Sequence, residues 1–145
     1  MTTAAALYRR IESLQLPVVM AESLVGLEDV IIDFNQKQMR IGQDADGADL
    51  YDYRSDAYAE FKQAGGSQAP FGVADFYSTG SFYRGMTVQI TADSIVFDST
   101  DPKTDKLSDL SNGRMFGLTN ASKAEFNKMY LQDSFVDACR LKLRL

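Results

Sequence analysis

The chain of 145 residues contains no histidine. That removes the commonest general base, the Ser-His and Cys-His nucleophile pairs and the usual nitrogen ligand of zinc. Cysteine is nearly absent as well: Cys139 stands alone, so no internal disulfide can form and no cross-linked secreted scaffold is indicated. Long apolar runs are missing too. No stretch approaches the ~20 apolar residues of a membrane span, and Arg9, Arg10 and Glu12 interrupt the N-terminal segment where a signal-peptide core would lie. The expectation is therefore a protein that acts where it is made or within a larger assembly. Basic residues are in deficit, 15 against 20 acidic, giving a formal charge of −5. Such a balance disfavours tight, sequence-tolerant binding to phosphate backbones.

A hydrophobic share of 45% is that of a folded globular chain. A chain of this length buries roughly two-thirds of its unfolded surface, enough for one core without metal or disulfide. There are no repeats and no low-complexity tract, so residues 1–145 read as one domain. Residues 1–16 form a helical segment at its start, led by Ala4, Ala5, Ala6 and Leu7 and followed by Ile11 and Leu14. Pro17 marks a break or the first turn of the next helix.

Leu24, Leu27, Ile31, Phe34 and Ile41 recur at steps of three and four, with Gln38 in the one polar slot. This spacing predicts a long amphipathic helix over 18–41, about 36 Å from end to end, which Gly26 weakens and Gly42 stops. A shorter helix is expected over 55–64, ended by Gly65-Gly66. Met86, Val88 and Ile90 alternate with polar residues, and Ile95-Val96-Phe97 follows a turn, which predicts a β-hairpin. Lys103 to Leu110 reads as a short helix, and Thr119 as the N-cap of a helix running to about Ala138 whose apolar side covers the sheet. The expected class is α+β: a long N-terminal amphipathic helix, a small antiparallel sheet with a hairpin, and a C-terminal helix packed on that sheet. The final residues 140–145 alternate Arg140, Lys142 and Arg144 with Leu141, Leu143 and Leu145. They read as a frayed helix end or a short strand.

The search for chemistry is brief. Cys139 lies among apolar residues with nothing nearby in sequence to form a thiolate, and reads as structural. Asp44, Asp46, Asp49 and Asp52 form the densest acidic cluster. With Gly47 as the sixth position of a calcium loop, the first would be Gly42 and the twelfth Tyr53, neither a carboxylate, so a polar turn is the favoured reading. No glycine run leads into the Lys-Ser/Thr of a phosphate loop, and Gly113 to Gly117 lacks the spacing. Ser78-Thr79-Gly80-Ser81 could shape an oxyanion turn, but no base accompanies it. Phe71, Phe76, Tyr77, Phe82 and Tyr83 crowd one region with only Arg84 nearby, so they point to a core or subunit interface rather than a base-stacking platform. No catalytic, cofactor-binding or metal-ligating residue is expected.

The order of the landmarks carries more than any one of them. After the amphipathic helix come Gln38-x-x-Ile41-Gly42-x-Asp44-x-Asp46-Gly47 and a tyrosine-rich segment. Then follow Val73-Ala74-Asp75-Phe76-x-x-Thr79-Gly80-x-Phe82-x-x-x-Met86, a hairpin, and Phe116-Gly117-Leu118-Thr119 opening the last helix. From about Glu28 to Val136 this resembles the neck and tail-completion proteins of tailed bacteriophages, often labelled minor capsid or virion morphogenesis proteins. It is similar also to small structural proteins of phages of Bacteroidetes-type hosts. Asn112-Gly113-Arg114 stands where that family often carries an Arg-Pro segment. The resemblance implies a structural virion protein without enzymatic activity or cofactor. Its partners would be six or twelve copies of itself in a head–tail connector ring, and adjacent portal or tail proteins. DNA would only pass through an acidic lumen, and no membrane would be involved. Leu141, Lys142, Leu143 and Arg144 are the expected subunit-interface residues, ordered on assembly. Two other readings follow from the residues alone: an acidic adaptor or inhibitor that binds a basic protein, and a metal-dependent hydrolase using the Asp44–Asp52 cluster.

Overall fold

A computed structural model describes residues 3–145; the first two residues of the expected N-terminal helix lie outside the described range. Helix α1 (Ala4–Glu12) is capped by Thr3, whose hydroxyl accepts from the Ala6 amide. Helix α2 (Leu16–Leu24) starts with Pro17 in its first turn, where the missing N–H costs nothing.

Helix α3 covers Glu28–Arg40, so the single long helix expected over 18–41 is two helices. The break falls at Gly26, which adopts φ +90°, and the Glu28 carboxylate accepts from its amide at 2.7 Å. A left-handed residue breaks the helix after α2, whereas the apolar steps continue across the joint because Leu24 at the end of α2 and Leu27 at the cap of α3 serve one core. Gly42, at φ +80°, ends α3 as expected.

Helix α4 (Asp56–Ala64) is capped by Ser55, and the short α5 (Ser81–Arg84) leads into the hairpin. Strands β1 (Met86–Ile90) and β2 (Ile95–Ser99) pair antiparallel in the register Val88 opposite Phe97. Along β1, Met86, Val88 and Ile90 turn inward and the threonine and glutamine between them outward, as the alternation predicts. Helix α6 is Thr104–Leu110. Thr119 caps α7 (Asn120–Phe126), which passes through a π-helical turn at Asn127–Leu131 into α8 (Gln132–Leu143). The mixed helix-and-hairpin architecture is thus α+β.

Two apolar clusters flank α3. One joins Met39, Leu50, Phe82, Tyr83, Met86 and Met115. The other joins Leu24, Ile31 and Phe126, with Val88, Ile90, Phe97 and Leu131 packed against them. Phe126 and Leu131, in α7 and the π turn, thus share a cluster with the inward side chains of the hairpin. The expectation of a C-terminal helix lying on the sheet is corrected for α8, which packs on α2 and α1 instead. The extra residue of the π turn shifts the helical phase, so the apolar stripe that serves the hairpin does not continue along α8.

Candidate functional site

Helices α1, α2 and α8 form a layer beside the hairpin core. Lys142 Nζ pairs with Glu22 at 3.0 Å, Ser134 Oγ donates to the Ser23 carbonyl at 2.6 Å, and Arg10 Nη1 donates to the Leu143 carbonyl at 2.9 Å. These polar ties bind the layer together, yet neither α1 nor α8 contributes a buried side chain. On α1, Leu7 and Arg10 turn inward and are half-buried, while Tyr8 and Ile11, three apart, share the outer face and are exposed. Val136 and Leu141 are exposed on α8.

Residues 140–143 continue the helix, so the period-two spacing of the tail does not describe a strand. Of the four expected interface residues, Leu141 and Arg144 face outward. Leu143 is half-buried with its carbonyl engaged by Arg10, and Lys142, exposed, is tied to Glu22. Cys139 is half-buried within this layer.

The acidic turn has a structural task. Asp44 is buried, and its Oδ1 accepts from the amides of Asp46 (2.8 Å) and Ala48 (3.0 Å). Its Oδ2 lies 3.1 Å from Arg114 Nε, a charge contact that does not run along an N–H bond. Gln38, in the polar slot of the α3 stripe, donates to the carbonyls of Asp44 and Gly117, and its Oε1 accepts from the Thr119 amide at 2.8 Å. Asn35 donates to the carbonyls of Met115 and Gly117. One face of α3 thereby fastens the 42–50 turn and the Phe116–Thr119 helix opener to the core. Among the described residues, no three cysteine, aspartate or glutamate side chains converge on a point that could hold a metal.

The aromatic crowd is divided by the fold. Phe82 and Tyr83 are core, Phe76 is half-buried, and Phe71 and Tyr77 are exposed. Tyr51, Tyr53, Tyr58, Phe76, Lys103 and Lys106 are among the walls of a cleft of about 300 Å³ beside the Ser78–Ser81 turn. Under that turn Asp75, buried, pairs with Lys62 at 2.8 Å and accepts from Ser67 Oγ and the Tyr77 amide, while the Tyr83 hydroxyl donates to its carbonyl. The Arg40 guanidinium stacks over Tyr77 at 3.9 Å, a cation–π contact between residues 37 apart that no local pattern discloses. Ser81 Oγ donates to Asp101; this bond, and next the Lys103 amide, hold the Asp101 carboxyl below the usual carboxylate range.

Burial, and next the nearby Asp75 charge, push the Tyr53 hydroxyl up to about 12 and the Tyr83 hydroxyl further in the same direction. Unfolded tyrosine titrates near ~10. The folded chain keeps these protons to higher pH than the unfolded chain does. Their contribution is therefore complete below pH ~10 and is lost as pH rises through the folded values. The thermal midpoint is expected to fall steeply above pH ~10, and less steeply in Tyr83→Phe. A melting series at pH 8 to 12 checks this; parallel curves for the two chains would contradict it.

Among the described residues no helix is long and apolar enough to cross a membrane. No protein-family model, no curated protein and no solved structure matches the chain.

Proposed function

We propose that the chain is a structural protein of a tailed-phage virion, a ring-forming subunit of the neck or head–tail connector, with no reaction of its own. The observation that carries this reading is the α1–α8 layer. Two helices that bury no side chain of their own, yet expose Tyr8, Ile11, Val136 and Leu141, are what a subunit looks like before its neighbours cover it. The ordered landmarks from Gln38 to Thr119, which resemble neck and tail-completion proteins, support a virion neck as the kind of assembly. The net charge of −5 fits a wall past which DNA slides without adhering.

In this reading six or twelve copies form a ring whose two ends meet portal-side and tail-side proteins. The test is quantitative mass spectrometry of purified particles. The chain is expected at a fixed stoichiometry of six or twelve per particle. Its absence from particles would overturn the reading, and would favour an acidic adaptor that acts on a basic protein partner.

A further inference from the structure

In sequence the aromatic residues around Tyr77 have only Arg84 beside them, and the fold brings two more cations from elsewhere. Lys103, the cap of α6, and Lys106 within it are walls of the same cleft as Tyr51, Tyr53, Tyr58 and Tyr77. These two lysines are its only charged walls, in a chain whose acidic residues outnumber its basic ones by 20 to 15. Both are exposed, and neither is in an ion pair. Asp101, which the Lys103 charge also reaches, is instead engaged by Ser81 Oγ and the Lys103 amide.

The apolar part of the cleft is largely aromatic. Six of its walls are tyrosine or phenylalanine, so a flat ring entering it meets other rings rather than aliphatic chains alone. Ala74 and Phe82 are buried walls, whereas Tyr58 and Tyr77 are exposed like the lysines, so the lining passes from apolar to cationic. Tyr77 is held between Arg40 over its ring and the edge of Tyr83 at 5.4 Å, and Tyr53 meets Tyr58 edge-on at 4.9 Å. Rings fixed in this way cost little to order when a ligand arrives. The volume of about 300 Å³ is roughly twice the ~150 Å³ that holds one benzene molecule. There is room for one ring with a charged substituent, and too little for a run of stacked bases.

We infer that this cleft binds a small aromatic anion, its ring among the tyrosines and its carboxylate or phosphate on Lys103 and Lys106. A cationic or neutral ring would leave the two ammonium groups without a partner, and an inorganic anion would leave the aromatic walls uncovered. The charge of −5 on the whole chain disfavours polyanions, whereas a ligand with one or two charges meets the local sign. The cleft is complete within one chain, so it stands whether or not copies assemble into a ring.

The experiment is an NMR titration of the isotope-labelled chain with phenyl phosphate and with benzoate, each set against inorganic phosphate and benzylamine. Shifts are expected at the amides of Tyr53, Tyr58, Tyr77 and Lys103. Both aryl anions should bind at least ~10-fold more tightly than either control. Whichever of the two binds more tightly names the anionic group, phosphate or carboxylate. Lys103→Glu with Lys106→Glu should weaken both aryl anions by at least ~10-fold and strengthen benzylamine. Tyr58→Ala, with the lysines in place, should bring phenyl phosphate down towards inorganic phosphate. All three positions are exposed, so unchanged melting curves will verify that the variants are folded. The site is overturned if neither aryl anion shifts these amides at ~10 mM. Benzylamine binding as tightly as the anions, or a charge reversal without effect, would overturn it equally.

Discussion

Asp44→Ala is expected to lower the folding stability by about 2–6 kcal/mol, because it strips the shared acceptor from two backbone amides. The carboxylate serves two backbone amides and the Arg114 guanidinium at once. Each amide left without an acceptor costs about 1–3 kcal/mol. Arg114 is 48% exposed, so water takes over much of its solvation and the amides bear most of the loss. Asp44→Asn, which keeps one carbonyl acceptor, is therefore expected to cost less than half as much. Chemical denaturation of the three chains checks the order. Equal losses for alanine and asparagine would mean that the charge, rather than the turn, is what Asp44 contributes.

This residue also marks how far the sequence could be read. The Asp44–Gly47 stretch has turn chemistry, and the structure has a turn there, with Gly47 at φ +81°. Local hydrogen bonding to amides two and four residues on is the kind of information that sequence spacing holds. The Arg114 partner, 70 residues away, is not. Thr119 was legible as a cap for the same local reason, and the hairpin was legible because its alternating run is followed by a turn and a second apolar run, whereas the alternation at 140–145 without such a partner belongs to a helix.

The long helix was misread at Gly26 because periodicity alone cannot distinguish one helix from two that share a core. Gln38 and Asn35 were opaque as well. Spacing put Gln38 in the one polar slot of the stripe and Asn35 off it, but could not show that both are buried and hold carbonyls about 80 residues on. The outward faces of α1 and α4 are visible only once it is known which sides of those helices the core has taken.

The second large effect is expected at Gly42, where turn and packing constrain the same atom. Its φ of +80° already penalises any side chain by about 1 kcal/mol. A Cβ there would also lie 2.7 Å from Val73 Cγ1 and 3.0 Å from Ala69 Cβ, both in buried residues. Overpacking of that kind adds about 1–3 kcal/mol, so Gly42→Ala should lose about 2–4 kcal/mol in all. Gly26 separates the two causes. Its φ is +90° and nothing lies within 4 Å of the Cβ position, so Gly26→Ala should lose only the backbone part, about 1 kcal/mol. Val73→Ala removes the nearer obstacle, and the double variant Gly42→Ala with Val73→Ala should lose less than the sum of the two single losses. Strict additivity in urea titrations would show that the close approach of Val73 does not limit this turn.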